Sequence, residues 1–75
     1  MKNNSAKVTK VLEYGVEMKV SLSACKVVTI LDALQSHRGT LAKEIEGIII
    51  DALDGNEKTK HYYAAEIASF RARDR

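Results

Sequence analysis

The stretch VEMKVSLSACKVVTIL, residues 16–31, decides how this chain is read. Up to Leu22 its apolar residues fall on every second position; after Ala24 they fall on every third or fourth. The first spacing suits a half-buried strand, whose side chains alternate between two faces. The second suits one face of an α-helix. Followed backwards, the alternation takes in Leu12, Tyr14, Val16, Met18, Val20 and Leu22, with Glu13, Gly15, Glu17, Lys19 and Ser21 between them. It predicts a strand over 12–22. Gly15 admits a bulge or a turn. A hairpin in which residues 7–12 pair back on 16–22 around EYG is the alternative.

Downstream the chain reads as helices. Ser21 or Ser23 can cap the first, over 23–38, with a stripe of Ala24, Val27, Val28, Ile30, Leu31 and Leu34. It ends near SHRG, where Gly39 can take a left-handed C′ conformation. A second helix spans 40–54 with Leu41, Ile45, Ile48, Ile49, Ala52 and Leu53. Ile50 widens that stripe, which implies burial on two sides, as in an intertwined dimer. Asp54 and Gly55 stop it, and Asn56 caps a third helix over 57–72 with Tyr63, Ile67 and Phe70 inward and Tyr62 at the edge. The expected fold is mostly α with one N-terminal β-strand or β-hairpin, a single domain over 1–75 preceded by a loose arm at 1–7.

Seventy-five residues bury only a modest core, so a second copy is expected before any motif is read. With 45% apolar and 29% charged residues the chain is globular. The net charge of +2 is far below that of strongly basic nucleic-acid binders. Lys2, Lys7 and Lys10 crowd one end, and Arg71, Arg73 and Arg75 the other. No apolar run approaches the roughly 18 residues of a membrane span, and no signal-peptide core follows MKNNSAKVTK. A lone Cys25 forms no internal disulfide and reads as a small core residue in a reducing, cytoplasmic setting.

Enzymatic signals are absent. His37 and His61 share no local spacing with Cys25, and there is no HExxH, paired-cysteine or phosphate-loop motif. Neither a metal site nor a cofactor is expected. Glu44 and Glu46 stand two apart on a helix and read as a solvated face. His61, Tyr62 and Tyr63 read as half core, half rim. Together with Lys58 and Lys60 they also suggest, as a minor reading, a nucleotide-sequestering oligomer.

Taken together, MKVSLS, the helical ACKVVTILDALQSHRG and TLAKEIEGIIIDAL resemble the ribbon-helix-helix family of DNA-binding proteins over residues 16–53. The resemblance implies a homodimer in which strands of two copies pair as a two-stranded ribbon. Its core would be Met18, Val20, Leu22, Ile45 and Ile49. The outward residues Glu17, Lys19 and Ser21 would read base edges in the major groove. The start of the second helix, Thr40 and Leu41 with Arg38 before them, would hold a phosphate. Lys7 and Lys10 would add backbone contacts, as would Lys2, Arg71 and Arg73. A strand pair centred near Met18 would set Glu17 opposite Lys19 of the other copy. The chain departs from the family in its long lead before the strand, in Glu17 at a reader position and in the added third helix. The expected function is a small transcriptional regulator bound to double-stranded DNA. The alternative is a protein-interaction module (an inhibitor, antitoxin or phage accessory factor) that grips a host protein through the ribbon or the third helix. The two part company at one point: pairing of residues 16–22 with residues 7–12 of the same chain removes the main argument for DNA readout.

Overall fold

The structure is a computed structural model and describes residues 5–73. An antiparallel hairpin of β1 (Ser5–Leu12) and β2 (Gly15–Ser21) leads into α1 (Ala24–Ser36), α2 (Thr40–Asp54), α3 (Glu57–Tyr62) and α4 (Ala64–Arg73). The fold is mostly α with an N-terminal hairpin. The single strand over 12–22 is corrected to two: the chain reverses at Glu13 and Tyr14, and Leu12 pairs with Gly15. Of the arm expected at 1–7, Ser5–Lys7 belong to β1 and residues 1–4 lie outside the described residues, as does Lys2.

Register fixes the two faces of the hairpin. Ala6 pairs with Val20, Val8 with Met18 and Val11 with Val16, so one face is wholly apolar. Ser5 pairs with Ser21, Lys7 with Lys19 and Lys10 with Glu17 on the other. The ladder shifts between Val8 and Lys10, leaving Thr9 as an extra residue whose hydroxyl donates to the Glu17 carbonyl at 3.2 Å. A regular strand would put Val8 and Lys10 on the same face. The bulge parts them, sending Lys10 to the polar face and Val11 to the apolar one.

The helices enclose a small core of Leu31, Ile50, Tyr63, Ile67 and Phe70, with Val27, Val28, Ile49 and Leu53 packed around it. Phe70 of α4 reaches α2 where Gly47 leaves room: a Cβ there would lie 3.3 Å from the Phe70 ring. Gly39 is extended, at φ −78° and ψ 151°, and serves as the N-cap of α2 rather than as a left-handed C′ residue. The bond from the Gly39 N–H to His37 Nδ1, 3.1 Å, shapes that tight link. The helix expected over 57–72 is two helices. Tyr63 falls out of helical geometry (φ −104°, ψ 26°) as it turns into the core, yet its N–H still donates to the Thr59 carbonyl. Asn56 caps α3 as expected, its Oδ1 accepting from Lys58 and Thr59 N–H.

Two arginines fasten α4 to α2. Arg73 meets Glu46 at 2.7 Å, and Arg71 meets Asp51 and Asp54 at 2.9 and 3.3 Å. Glu46 is therefore not part of a solvated face: it is 3% exposed. Cys25 is exposed, one position off the inward stripe, and is not a core residue.

The hairpin stands away from this helical body. Every residue of β1 and β2 is exposed except Ser21, which is half-buried. The radius of gyration, 13.2 Å, exceeds the roughly 11 Å of a compact domain of this length, as a projecting arm requires.

Candidate nucleic-acid interface

The polar face of the hairpin gathers five of the expected contact residues, Lys7, Lys10, Glu17, Lys19 and Ser21. Lys19 lies directly across from Lys7, and Lys10 lies across from Glu17. None of the three lysines is held in an ion pair among the described residues. Like charges directly opposite on a sheet repel, so this face is built at some cost and is complementary to an anion. Ser5 and Ser21 close the face at the root of the hairpin. Within the chain the cross-strand neighbour of Glu17 is Lys10.

The tip carries a residue that the alternation misassigned. Tyr14 was expected among the inward apolar positions, yet it sits in the turn with 94% of its surface exposed. The turn is reached without a positive φ at any described residue, so neither Glu13 nor Tyr14 carries the usual signature of a tight hairpin turn.

Other expected contacts are separated from this face by the chain's architecture. Arg38, Thr40 and Leu41 lie at the α1–α2 link and are exposed. The first amides of α2 have no partner within the helix, and the helix dipole favours an anion beside them. Arg71 and Arg73, counted as phosphate contacts, are engaged by α2 carboxylates instead. These acceptors raise both guanidinium pKa values: the hydrogen bonds to Asp51 and Asp54 act on Arg71, and the one to Glu46 acts on Arg73. Within the third helix expected over 57–72, Tyr63, Ile67 and Phe70 supply most of the core. Tyr62 is 71% exposed and meets Tyr63 edge-on, with ring centroids 4.9 Å apart.

Four of the five residues expected in a dimer core are left exposed within the chain, and Ile49 packs against the helical core. Met18, Val20 and Ile45 are each about half exposed, Leu22 is 36% exposed and Ile49 is half-buried. At the root of the hairpin an apolar cleft of about 250 Å³ is lined by Val20, Leu22, Val27, Ile30 and Ile49. That cleft joins the apolar face of the hairpin to the outer face of α2.

No group of three or more His, Cys, Asp or Glu side chains is placed to hold a metal ion among the described residues, and no helix among them is long and apolar enough to cross a membrane. Comparison with protein-family models, curated proteins and solved structures gave no match for this chain.

Proposed function

We propose that this protein is a small DNA-binding regulator that lays the lysine face of its hairpin in the major groove. The observation that carries the reading is the Lys7–Lys19 cross-strand pair, with Lys10 on the same face. The ribbon differs in origin from the one the family resemblance implies. Both strands come from one chain, which removes the main argument that the sequence alone offered for DNA readout; the lysine face is a separate ground. The physical fit to DNA survives the change, because the groove, about 12 Å wide, admits any two-stranded ribbon. Lys19 would donate to guanine O6 or N7, Ser21 would bond a neighbouring base, and Glu17 would accept from cytosine N4. Arg38 and the start of α2 would serve a phosphate elsewhere on the duplex.

The test is fluorescence anisotropy of a labelled mixed-sequence duplex across a salt series. Lys7 and Lys10 on phosphates predict a log–log slope near −2 per hairpin, by the rule of about −0.9 per neutralised phosphate. Lys7→Ala with Lys10→Ala would flatten that slope by about two units. Absence of binding at about 50 mM salt, where such contacts are strongest, would overturn the reading.

The second reading, a protein-interaction module, is favoured by the exposed apolar face of the same hairpin. Under it a host protein would bind the chain with an affinity indifferent to Lys19→Ala and sensitive to Met18→Glu.

A further inference from the structure

The hairpin presents a second face, opposite the lysines, that the chain itself never covers. Val8, Val16, Met18 and Val20 on it are each between 47% and 53% exposed. A two-stranded hairpin in water is marginal by itself and needs further strands or a layer packed against its apolar side. Here the helices touch it only at its root. The helical body has a matching deficit. Around α2, Ala42, Glu46 and Ile50 are buried, but Leu41, Ile45 and Ile48 on the other side are 73%, 47% and 68% exposed. Helical spacing puts Leu41, Ile45, Ile48 and Ile49 on one stripe. The cleft lined by Leu22 and Ile49 makes the hairpin face and this stripe continuous.

We propose that this joined face is the contact surface of a homodimer, with a second copy of the chain as its occupant. Three features point to a second copy. The exposed part of Val8, Val16, Met18, Val20, Ile45 and Ile48 amounts to roughly 600 Å², and Leu22 and Leu41 at its margins bring it near the ~800 Å² per partner of a stable, specific interface. Its composition is aliphatic, with no charge on the hairpin positions, like a domain core cut in two rather than like the aromatic- and arginine-rich patches that grip unrelated partners. An uncharged aliphatic face is also complementary to itself, which a two-fold interface demands. Association on this face leaves Lys7, Lys10 and Lys19 pointing outward. The inference rests on the opposite side of the hairpin from the DNA reading and stands or falls apart from it.

Sedimentation equilibrium of the full chain tests it. The expected result is a species of twice the single-chain mass in the micromolar range. Met18→Glu on the hairpin and, separately, Ile45→Glu on α2 should each weaken the dimer by 100-fold or more. Neither side chain belongs to the buried core, so far-UV circular dichroism should report an unchanged helix content. Lys10→Glu on the far face should leave the dimer intact while weakening DNA binding. A wild-type chain that sediments as a monomer throughout, or that leaves solution only onto zwitterionic vesicles, would overturn the proposal. So would a dimer indifferent to both Glu substitutions.

Discussion

Arg73 holds the carboxylate of Glu46 with both terminal nitrogens, Nη2 to Oε2 at 2.7 Å and Nη1 to Oε1 at 3.5 Å, across 27 residues of sequence. The carboxylate side is 4% exposed and the guanidinium side 36%. A charge buried that deeply survives only if it is paired. The guanidinium also lies 5.7 Å from the Phe70 ring centre, so the pair closes over the edge of the core. Arg73→Ala strands the carboxylate. The full penalty for a broken buried pair is about 3–5 kcal/mol; water reaching the half-sheltered arginine site lowers the expectation to about 2 kcal/mol. Urea unfolding measures it, and adding Glu46→Gln to Arg73→Ala should recover part of the loss. A single variant as stable as the wild type would mean that Glu46 is not buried as described.

Asn56 governs the start of α3. Its side-chain oxygen accepts from Lys58 N–H at 3.0 Å and Thr59 N–H at 3.3 Å, while the Thr59 hydroxyl donates to the Leu53 carbonyl at 2.6 Å. These bonds stitch the end of α2 to a helix only six residues long. Asn56→Ala should cost about 1 kcal/mol in the same unfolding experiment, and Asn56→Asp should keep most of the stability. If the Ala variant shows no loss, the cap does not hold α3 in solution.

The contrast between Asn56 and Glu46 marks what was legible in the sequence. A cap is a local event: Asn followed by a helical stripe announces itself within four residues. The Glu46–Arg73 pair depends on how α4 crosses α2, and nothing near either residue signals it. Glu46 therefore read as one more solvated charge. The hairpin was half legible for a different reason. The Thr9 bulge sets Val8 and Val11 three apart, which destroys the period of two that would have marked β1. The alternation running through Leu12 and Tyr14 is accidental, since those residues flank and form the turn. Glu13–Tyr14 lacks the Asn-Gly or Asp-Gly signature that would have marked a reversal there. The lysine face followed as a surprise: Lys7 and Lys19 were both named as contacts, but only the register sets them side by side.

Tyr63 should make the fold sensitive to alkali. Burial raises its hydroxyl pKa above the ordinary 10.0, and the negative charge of ionised Tyr62, Glu66 and Cys25 nearby adds to the effect. An acid whose folded pKa is raised holds its proton longer in the folded chain than in the unfolded one. Its contribution to stability is complete below pH 10 and is lost as the pH climbs through the folded value. Urea midpoints should therefore fall more steeply above about pH 10 in the wild type than in Tyr63→Phe, which has no proton there to lose. Parallel alkaline slopes in the two proteins would show that Tyr63 is not the responsible group.

The Lys7–Lys19 pair gives the sharpest separation between a structural and a functional role. Replacing Lys19 with Glu turns a cross-strand repulsion into an attraction on an exposed hairpin. If the lysines only solubilise the arm, Lys19→Glu changes little beyond a gain of roughly 0.2–1 kcal/mol in hairpin stability. If they face DNA, the same substitution stabilises the hairpin and weakens binding together, because it removes the donor to a base edge and adds a charge that the phosphates repel. The expected outcome is a chemical-shift change at Lys7 and at its ladder neighbours Ala6 and Val20 reporting a better-formed ladder, beside a loss of duplex affinity of at least tenfold at low salt. The difference should narrow as salt rises, since screening acts on the same charges. Unchanged affinity in the Glu variant would take the hairpin out of any nucleic-acid contact and leave the repulsion between Lys7 and Lys19 without a functional reason.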